Sequence, residues 1–439
     1  MLYFLKFWEI FLKSKSTKIR FINHFRWDLK QKWITNIKSK NSYLLVETDK
    51  DVSILQNTFW VYRIEAIKYN IPLTSNLKDF YKILDDIVKN YDFNTFVIRS
   101  KRENKQYFID SMEIQRKLWK YVDDNYGKIP LYKNSDITIY IRILKDRIWI
   151  RTSKDVYDGI AWLPYGSEWK ALNLFSWWID SPVATFLAEK RGIRQDFLFL
   201  NIPWSKLLLS QVFNVYNFLK KTYSINWRFF TLNIQDIIQK IKEQVPSWYR
   251  QIVFKVFLYK IWEKACDELW VETIINGESI WQVSTQTLKN MQLLDSIADK
   301  LNIRPLSCFD KTEIMDIARK IWTLDKSSQI KETCSIENHS NAKINDKKYV
   351  LNLFEKLDID FEELFSRTHI VKEVLDTELI NKYKTDKIIW DLIDIEKQEK
   401  IPKLEEWKKY TFICSSWYKA SSMAFNTRKK WYETYFLVK

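Results

Sequence analysis

Apolar positions along the chain fall into blocks with different periods. To about residue 70, short apolar runs alternate with basic segments, and the opening residues read as a strand entering a basic helix. Residues 94–100, 136–144 and 147–153 read as strands, the second with apolar residues at every other position, and a helix opens near residue 111 with Ser111 as candidate N-cap. From residue 170 the pattern changes to alternation of strands (171–175, 197–200, 228–232, 271–275) and helices (181–191, 205–221, 234–266, 284–300, 311–321). Strands separated by helices predict a doubly wound, mostly parallel sheet, whose ligands bind at the carboxyl ends of its strands. Residues 323–385 are rich in Lys, Asn, Ser, Asp and Glu and read as a hinge and helical linker. A last small α/β unit follows, with strands 387–392, 410–414 and 433–438 and a helix over 419–430.

Composition narrows the functional classes. The chain has 439 residues, 46% of them hydrophobic, enough for several packed cores and against disorder. A net charge of +16 points to a polyanionic partner, although a lysine-favouring gene composition would give part of the same excess. No uncharged apolar run approaches the ~18 residues of a membrane span, and Lys6, Glu9 and Lys13 break the N-terminal apolar run, which predicts no signal peptide. The four cysteines (Cys266, Cys308, Cys334, Cys414) form no CxxC pair, and three histidines complete no zinc set, so a reducing cytoplasm is expected. Glycine is the anomaly: 5 residues against 21 tryptophans, where roughly 7% of a chain is ordinarily glycine.

The strand 171–175 runs into Ser176-Trp177-Trp178-Ile179-Asp180-Ser181 and then a helix. With glycine at 177 and 178 this is S-G-G-x-D-S, a pyrophosphate loop. Glycines let backbone N–H groups approach phosphates at a helix N-terminus, Ser176 and Ser181 donate hydroxyls, and Asp180 can help hold Mg²⁺. Cys414 closes an apolar strand and opens Cys414-Ser415-Ser416-Trp417-Tyr418-Lys419-Ala420-Ser421 before a helix. With glycine at 417 this is similar to a rhodanese loop, in which a low-pKa thiolate carries a persulfide. Cys266 and Cys308 are expected to be packing residues.

The flanks resemble the tRNA 4-thiouridine sulfurtransferase family. Residues 159–170 are similar to its G-x-x-G-L-P-x-G-x-x-G-K lead-in and 276–288 to its T-G-E-x-L-G-Q-V-x-S-Q-T-L segment. Arg304-Pro305-Leu306, Asp310-Lys311-Thr312-Glu313-Ile314 and residues 318–323 are similar to R-P-L, D-K-x-E-I and A-R-x-I-G-T, and residues 7–13 to Y-G-E-I-x-L-K. The resemblance implies five segments: a ferredoxin-like domain over 1–70, a THUMP RNA-binding domain over 71–156, a pyrophosphate-loop (PP-loop) ATP pyrophosphatase domain over 157–345, a linker over 346–385 and a rhodanese-like domain over 386–439. It implies ATP contacts from Leu174, Phe175, Ser176, Trp177, Trp178, Ser181, Lys255, Gly277 and Gln286, with Asp180 as catalytic and Mg²⁺-binding residue. It further implies Cys414 as persulfide carrier and Cys334 as the cysteine forming a disulfide with it after sulfur release, with Asp391 at the rhodanese aspartate position. Ile393 stands two residues later, where the family often has an arginine. Arg99, Lys101, Arg102, Lys105, Arg116 and Lys117 are the candidate RNA phosphate contacts.

The implied activity is ATP-dependent transfer of persulfide sulfur to the uridine at position eight of tRNA, through an adenylated tRNA. A cysteine desulfurase would be the sulfur donor, and a thiazole-pathway carrier protein a second acceptor. Trp8, Trp60, Trp162, Trp169, Trp177, Trp178, Trp270, Trp281, Trp322, Trp417 and Trp431 stand where the family pattern has glycine, with Trp119 and Trp204 as further candidates. This predicts a gene whose UGA codons are read as glycine. If the tryptophans are genuine, the alternative is an inactive tRNA-binding relic.

Overall fold

The structure is a computed structural model. It describes residues 1–7, 13–40, 43–202, 205–330, 346–373, 384–385, 391–395, 404–405, 408–413, 418–428 and 433–437. The chain divides into two units, Met1–Ser167 and Glu168–Lys439.

The first unit holds two five-stranded sheets among the described residues. One is antiparallel, in the order Val156–Asp158, Val61–Ile67, Leu2–Phe7, Tyr43–Glu47, Asn36–Lys40. Helix Lys15–Gln31 packs on it through Phe21, Phe25 and Leu29, spaced four residues apart so that they share one face. The second sheet is mixed, in the order Tyr69–Pro72, Arg147–Thr152, Ile137–Ile143, Thr95–Arg102, Ile129–Pro130. Helices Leu77–Asn90 and Ser111–Tyr126 bury Phe80, Leu84 and Ile87, and Ile114, Leu118 and Val122, against its core. The N-cap of the latter helix is Asp110 and not Ser111: the Asp110 carboxylate accepts from Glu113 N at 2.8 Å, and Ser111 is the first helical residue.

In the second unit the strand order is Leu301–Ile303, Thr273–Ile275, Lys170–Leu174, Arg194–Asn201, Phe229–Asn233, His369–Ile370. The first five are parallel and the last is an antiparallel edge. Alternate residues of the central strands face opposite layers. Leu172, Leu198 and Leu200 pack with helix Ser247–Leu269, whereas Ala171 packs with Ala188 of helix Asp180–Lys190. The helix expected over 284–300 is instead a 3₁₀ turn, Ser284–Gln286, and a short helix, Leu288–Asp295. Thr287 between them is extended, and its hydroxyl accepts from Asn290 N at 3.3 Å, so the chain restarts a helix there.

Residues 347–370, within the expected linker, are folded onto this unit. Helices Lys347–Glu355 and Phe361–Ser366 insert Val350, Leu353 and Leu364 into the core beside helix Ser247–Leu269, and His369–Ile370 adds the edge strand. A small parallel sheet, in the order Lys384–Thr385, Glu433–Leu437, Lys409–Ile413, Asp391–Asp394, carries helix Tyr418–Arg428. Cys334, Cys414, Trp8, Trp204, Trp417 and Trp431 lie outside the described residues. Cys266 is buried as expected, its thiol pushed up to about 12 by burial, but Cys308 is exposed and packs no core.

Candidate active site

The parallel sheet changes direction between Lys170–Leu174 and Thr273–Ile275: the chain first adds strands on one side of Lys170–Leu174 and then returns to the other. That arrangement opens a crevice at the carboxyl ends of the two strands, the usual ligand position in such sheets. A cavity of about 350 Å³ lies there. Its walls include all ten residues assigned to the nucleotide or its metal from sequence: Leu174, Phe175, Ser176, Trp177, Trp178, Asp180, Ser181, Lys255, Gly277 and Gln286.

The loop after the first strand leads into helix Asp180–Lys190. The residue at its N-cap, Ile179, makes no side-chain cap hydrogen bond, and in the first turn Ser181 N donates to Trp178 O at 3.3 Å. The Ser176 and Ser181 hydroxyls are 2.8 Å apart at this helix end. Asp180 is buried, and both of its carboxylate oxygens accept from Lys311 Nζ at 3.0 Å, while Gln282 Nε2 donates to Oδ1 at 3.2 Å. Lys311 opens helix Lys311–Lys320, which Asp310 and Glu313 fix by a reciprocal capping box. Both indoles of the loop line the cavity: Trp177 is buried with its Nε1 unpartnered, and Trp178 is half exposed with the Lys311 ammonium 5.9 Å from its ring centroid.

Gly277 is placed by close approach. A Cβ there would lie 3.1 Å from the Asp180 carbonyl carbon and Cβ. Gly277→Ala is therefore expected to displace Asp180 and raise the KM for ATP by about tenfold with the fold intact, checked by steady-state kinetics beside a melting curve.

Glu278 organises the opposite wall. Lys255 Nζ donates to its Oε1 at 2.9 Å, and Tyr259 OH and Arg304 Nε donate to its Oε2 at 2.8 and 2.9 Å. Asp295 in turn accepts two hydrogen bonds from Arg304. Burial alone would raise the Glu278 carboxyl, but the charges and hydrogen bonds of Lys255 and Arg304 bring it down to about 2. A carboxyl lowered on folding contributes stability above its ordinary value of 4.5, and that contribution disappears as pH falls through about 2. Glu278→Gln is expected to cost about 3–5 kcal/mol at neutral pH by leaving two cations short of a counter-charge. It should also flatten the acid limb of a plot of Tm against pH.

Lys311, Gln282, Glu278 and Arg304 lie inside the family-like segments, but residue types alone gave them no role. Their partners are 102 and 131 residues away for Asp180 and 23 and 26 for Glu278, and only the fold reveals those pairs.

In the first unit, a recess of about 270 Å³ is lined by Lys6, Arg99, Lys101, Arg142 and Arg151, with Glu65 as the acidic residue of its wall. Arg99 and Lys101 thus belong to one basic surface. Arg102 does not: its guanidinium donates to Tyr107 O and Ile109 O and ties down the loop before helix Ser111–Tyr126. Lys117 pairs with Glu113 on that helix, and Lys105 and Arg116 are exposed.

Comparison with known proteins identifies this architecture. A family model described as thiamine biosynthesis protein (ThiI) matches residues 166–359, which contain the cavity, and a THUMP domain model matches 74–152, the mixed sheet and its helices. A tRNA sulfurtransferase of Desulfurococcus amylolyticus is 31% identical over 382 residues, spanning 83% of this chain and 77% of its own length. The chain belongs to the tRNA sulfurtransferase family. The tRNA sulfurtransferase of Escherichia coli is 25% identical over 433 residues, 90% of this chain and 86% of the relative. The fold also matches a crystallised 4-thiouridine synthetase in complex with RNA and bound ATP, with a TM-score of 0.74 at 23% identity over 85% of this chain and 99% of that one. Among the described residues no helix is long and apolar enough to cross a membrane.

Proposed function

We propose that the chain thiolates tRNA at the expense of ATP, forming 4-thiouridine at position eight, and that the cavity beside Asp180 is where the tRNA is adenylated. The observation that carries this reading is the convergence of the loop before helix Asp180–Lys190, the segment containing Gly277 and Gln286, and Lys311 on one crevice. Leu174, Phe199 and Ile202 offer an apolar wall to a base, and Gln286 Oε1, a buried acceptor without a partner, suits an exocyclic amino group. The helix N-terminus, Ser176 and Ser181 receive the phosphates, and Lys255 and Lys311 supply positive charge where negative charge accumulates in the transition state.

Among the described residues no three acidic, His or Cys side chains form a metal cluster. Mg²⁺ in nucleotide sites needs only one or two carboxylates, with phosphates and waters completing the shell. Asp180, whose carboxylate lies in the cavity wall, is the residue that would hold the cation, which would neutralise phosphate charge there.

In the reaction, the uridine carbonyl oxygen attacks the α-phosphorus and pyrophosphate leaves. The terminal sulfur of a persulfide on Cys414 then attacks the activated carbon and AMP departs. Cys334 attacks Cys414 Sγ, breaking the sulfur–sulfur bond so that sulfur stays on the base and a Cys334–Cys414 disulfide forms. A cysteine desulfurase reloads Cys414 after the disulfide is reduced. The same reading assigns the enzyme to the cytoplasm, where tRNA and reducing thiols coexist. The test is ATP–pyrophosphate exchange: exchange that requires tRNA supports the reading, and its absence in a folded, tRNA-binding chain leaves the inactive relic. The ThiI match favours a second activity, sulfur donation to a thiazole-pathway carrier, which a variant lacking residues 1–155 should retain.

For RNA contact, the basic recess is the expected phosphate-binding surface. Arg99→Ala with Lys101→Ala should weaken tRNA binding about tenfold and reduce its salt dependence by about one to two phosphate contacts, without base-sequence preference. Arg102→Ala should instead lower stability. Filter binding over a salt series separates the two.

A further inference from the structure

Among the described residues, ten non-glycine residues have left-handed φ, and six of them are tryptophans: Trp33 (61°), Trp60 (83°), Trp162 (72°), Trp270 (55°), Trp281 (65°) and Trp322 (60°). This is the region that a Cβ disfavours and glycine occupies freely. Three of these residues occupy one structural role. After helix Lys15–Gln31, Trp33 N donates to Lys30 O at 3.0 Å and Ile34 N to Leu29 O at 2.9 Å. After helix Ser247–Leu269, Trp270 N donates to Asp267 O and Val271 N to Cys266 O, at 3.2 and 2.9 Å. After helix Lys311–Lys320, Trp322 N donates to Arg319 O and Thr323 N to Ala318 O, at 3.0 and 2.9 Å. Each is a Schellman closure whose left-handed residue is ordinarily glycine. Helix Asp180–Lys190 ends the same way on a glycine: Gly192, at φ 81°, donates to Glu189 O at 2.8 Å and Ile193 N to Ala188 O at 3.3 Å.

The indoles gain little at these positions. Trp33, Trp270 and Trp322 are 83%, 93% and 75% exposed, and Trp281 is 71% exposed. Other tryptophans behave as the residue ordinarily does. Trp149 lies in strand Arg147–Thr152 and Trp262 in helix Ser247–Leu269, both buried. Trp227 is buried with its Nε1 donating to Glu189 at 2.9 Å. Trp119 sits inside helix Ser111–Tyr126, packed on the mixed-sheet core, which removes it from the glycine candidates. Trp60 has the left-handed backbone but a fully buried ring stacked 4.1 Å from Phe7, so its two signals oppose.

We propose that the polypeptide made in the source cell carries glycine at 33, 162, 270, 281 and 322, and at 177 and 178 in the cavity wall, while tryptophan at 149, 227 and 262 is genuine. One decoding event, UGA read as glycine, accounts for all seven. For 177 and 178 the inference rests on the nucleotide-site reading, whereas the other five stand on backbone conformation alone. At 177 and 178, glycine removes two rings from the cavity and frees the backbone N–H groups for an anion.

The test is mass spectrometry of peptides from the protein isolated from its source cells, with the three genuine tryptophans as internal controls. The expected result is glycine masses at the seven positions and tryptophan masses at 149, 227 and 262. Tryptophan at 33, 270 and 322 overturns the inference, and tryptophan only at 177 and 178 overturns its extension to the cavity. In the full chain carrying tryptophan at all of these positions, Trp270→Gly and Trp322→Gly should each raise Tm, and Trp262→Gly should lower it. A fall in Tm for the first two would count against glycine there. Glycine masses without tRNA-dependent exchange would leave this inference standing and remove the proposed function.

Discussion

Replacing Trp177 and Trp178 together by glycine is expected to increase kcat/KM for tRNA-dependent ATP consumption by at least ~10²–10³-fold, the scale associated with oriented backbone donors at a developing charge. Two rings now line the 350 Å³ cavity beside Ser176 and Asp180, and the Trp177 indole is buried with an unpartnered N–H. A phosphate approaching the first turn of helix Asp180–Lys190 would meet those two rings, whereas glycine would let the loop's backbone N–H groups approach it. Steady-state kinetics of the double variant against the chain with both tryptophans measures the effect. An unchanged kcat/KM in a folded double variant would mean that the rings do not obstruct the site.

The second large effect concerns Lys311. Lys311→Ala is expected to reduce kcat by ~10²–10³-fold with a smaller change in the KM for ATP, because the ammonium serves charge that builds up as pyrophosphate leaves. It also holds Asp180 through both carboxylate oxygens at 3.0 Å. Lys311→Arg keeps the charge but places it on a planar fork, so partial recovery is expected. A raised KM for ATP with kcat unchanged would assign Lys311 to ground-state binding alone. Single-turnover measurements of tRNA adenylation separate these outcomes.

The left-handed tryptophans also bear on folding. A left-handed backbone costs an L-residue roughly 1–2 kcal/mol, so six such sites approach the ~5–15 kcal/mol that hold a protein together. Replacement by glycine at the exposed sites relieves that strain and removes little packing.

Much of the second unit was legible because its strands and helices alternate and because the loop at 176–181 lies at a strand end. The residues assigned to the nucleotide came from distant segments, yet all line one crevice, since the chain's reversal at Lys170–Leu174 brings the loops after two neighbouring strands together. What escaped the sequence was pairwise. Nothing in the composition of Lys311 or Glu278 says that one would grip Asp180 and the other would be held ionised by Lys255 and Arg304. Arg102 shows the converse: a basic residue in a basic stretch is used to close a loop. The segment 347–370 looked like a helical linker because its charges dominate, but Val350, Leu353 and Leu364 are spaced to meet one neighbouring helix.

The most direct measurement is formation of 4-thiouridine in tRNA by the full chain with glycine at 33, 162, 177, 178, 270, 281, 322 and 417. The reaction contains ATP, Mg²⁺, cysteine and a cysteine desulfurase, and nucleoside mass spectrometry supplies the readout. The account predicts one 4-thiouridine per tRNA at position eight, requiring ATP and lost with Asp180→Asn, Cys414→Ser or Cys334→Ser under turnover. A folded chain that binds both ATP and tRNA but forms no 4-thiouridine, or forms it without ATP, would contradict it.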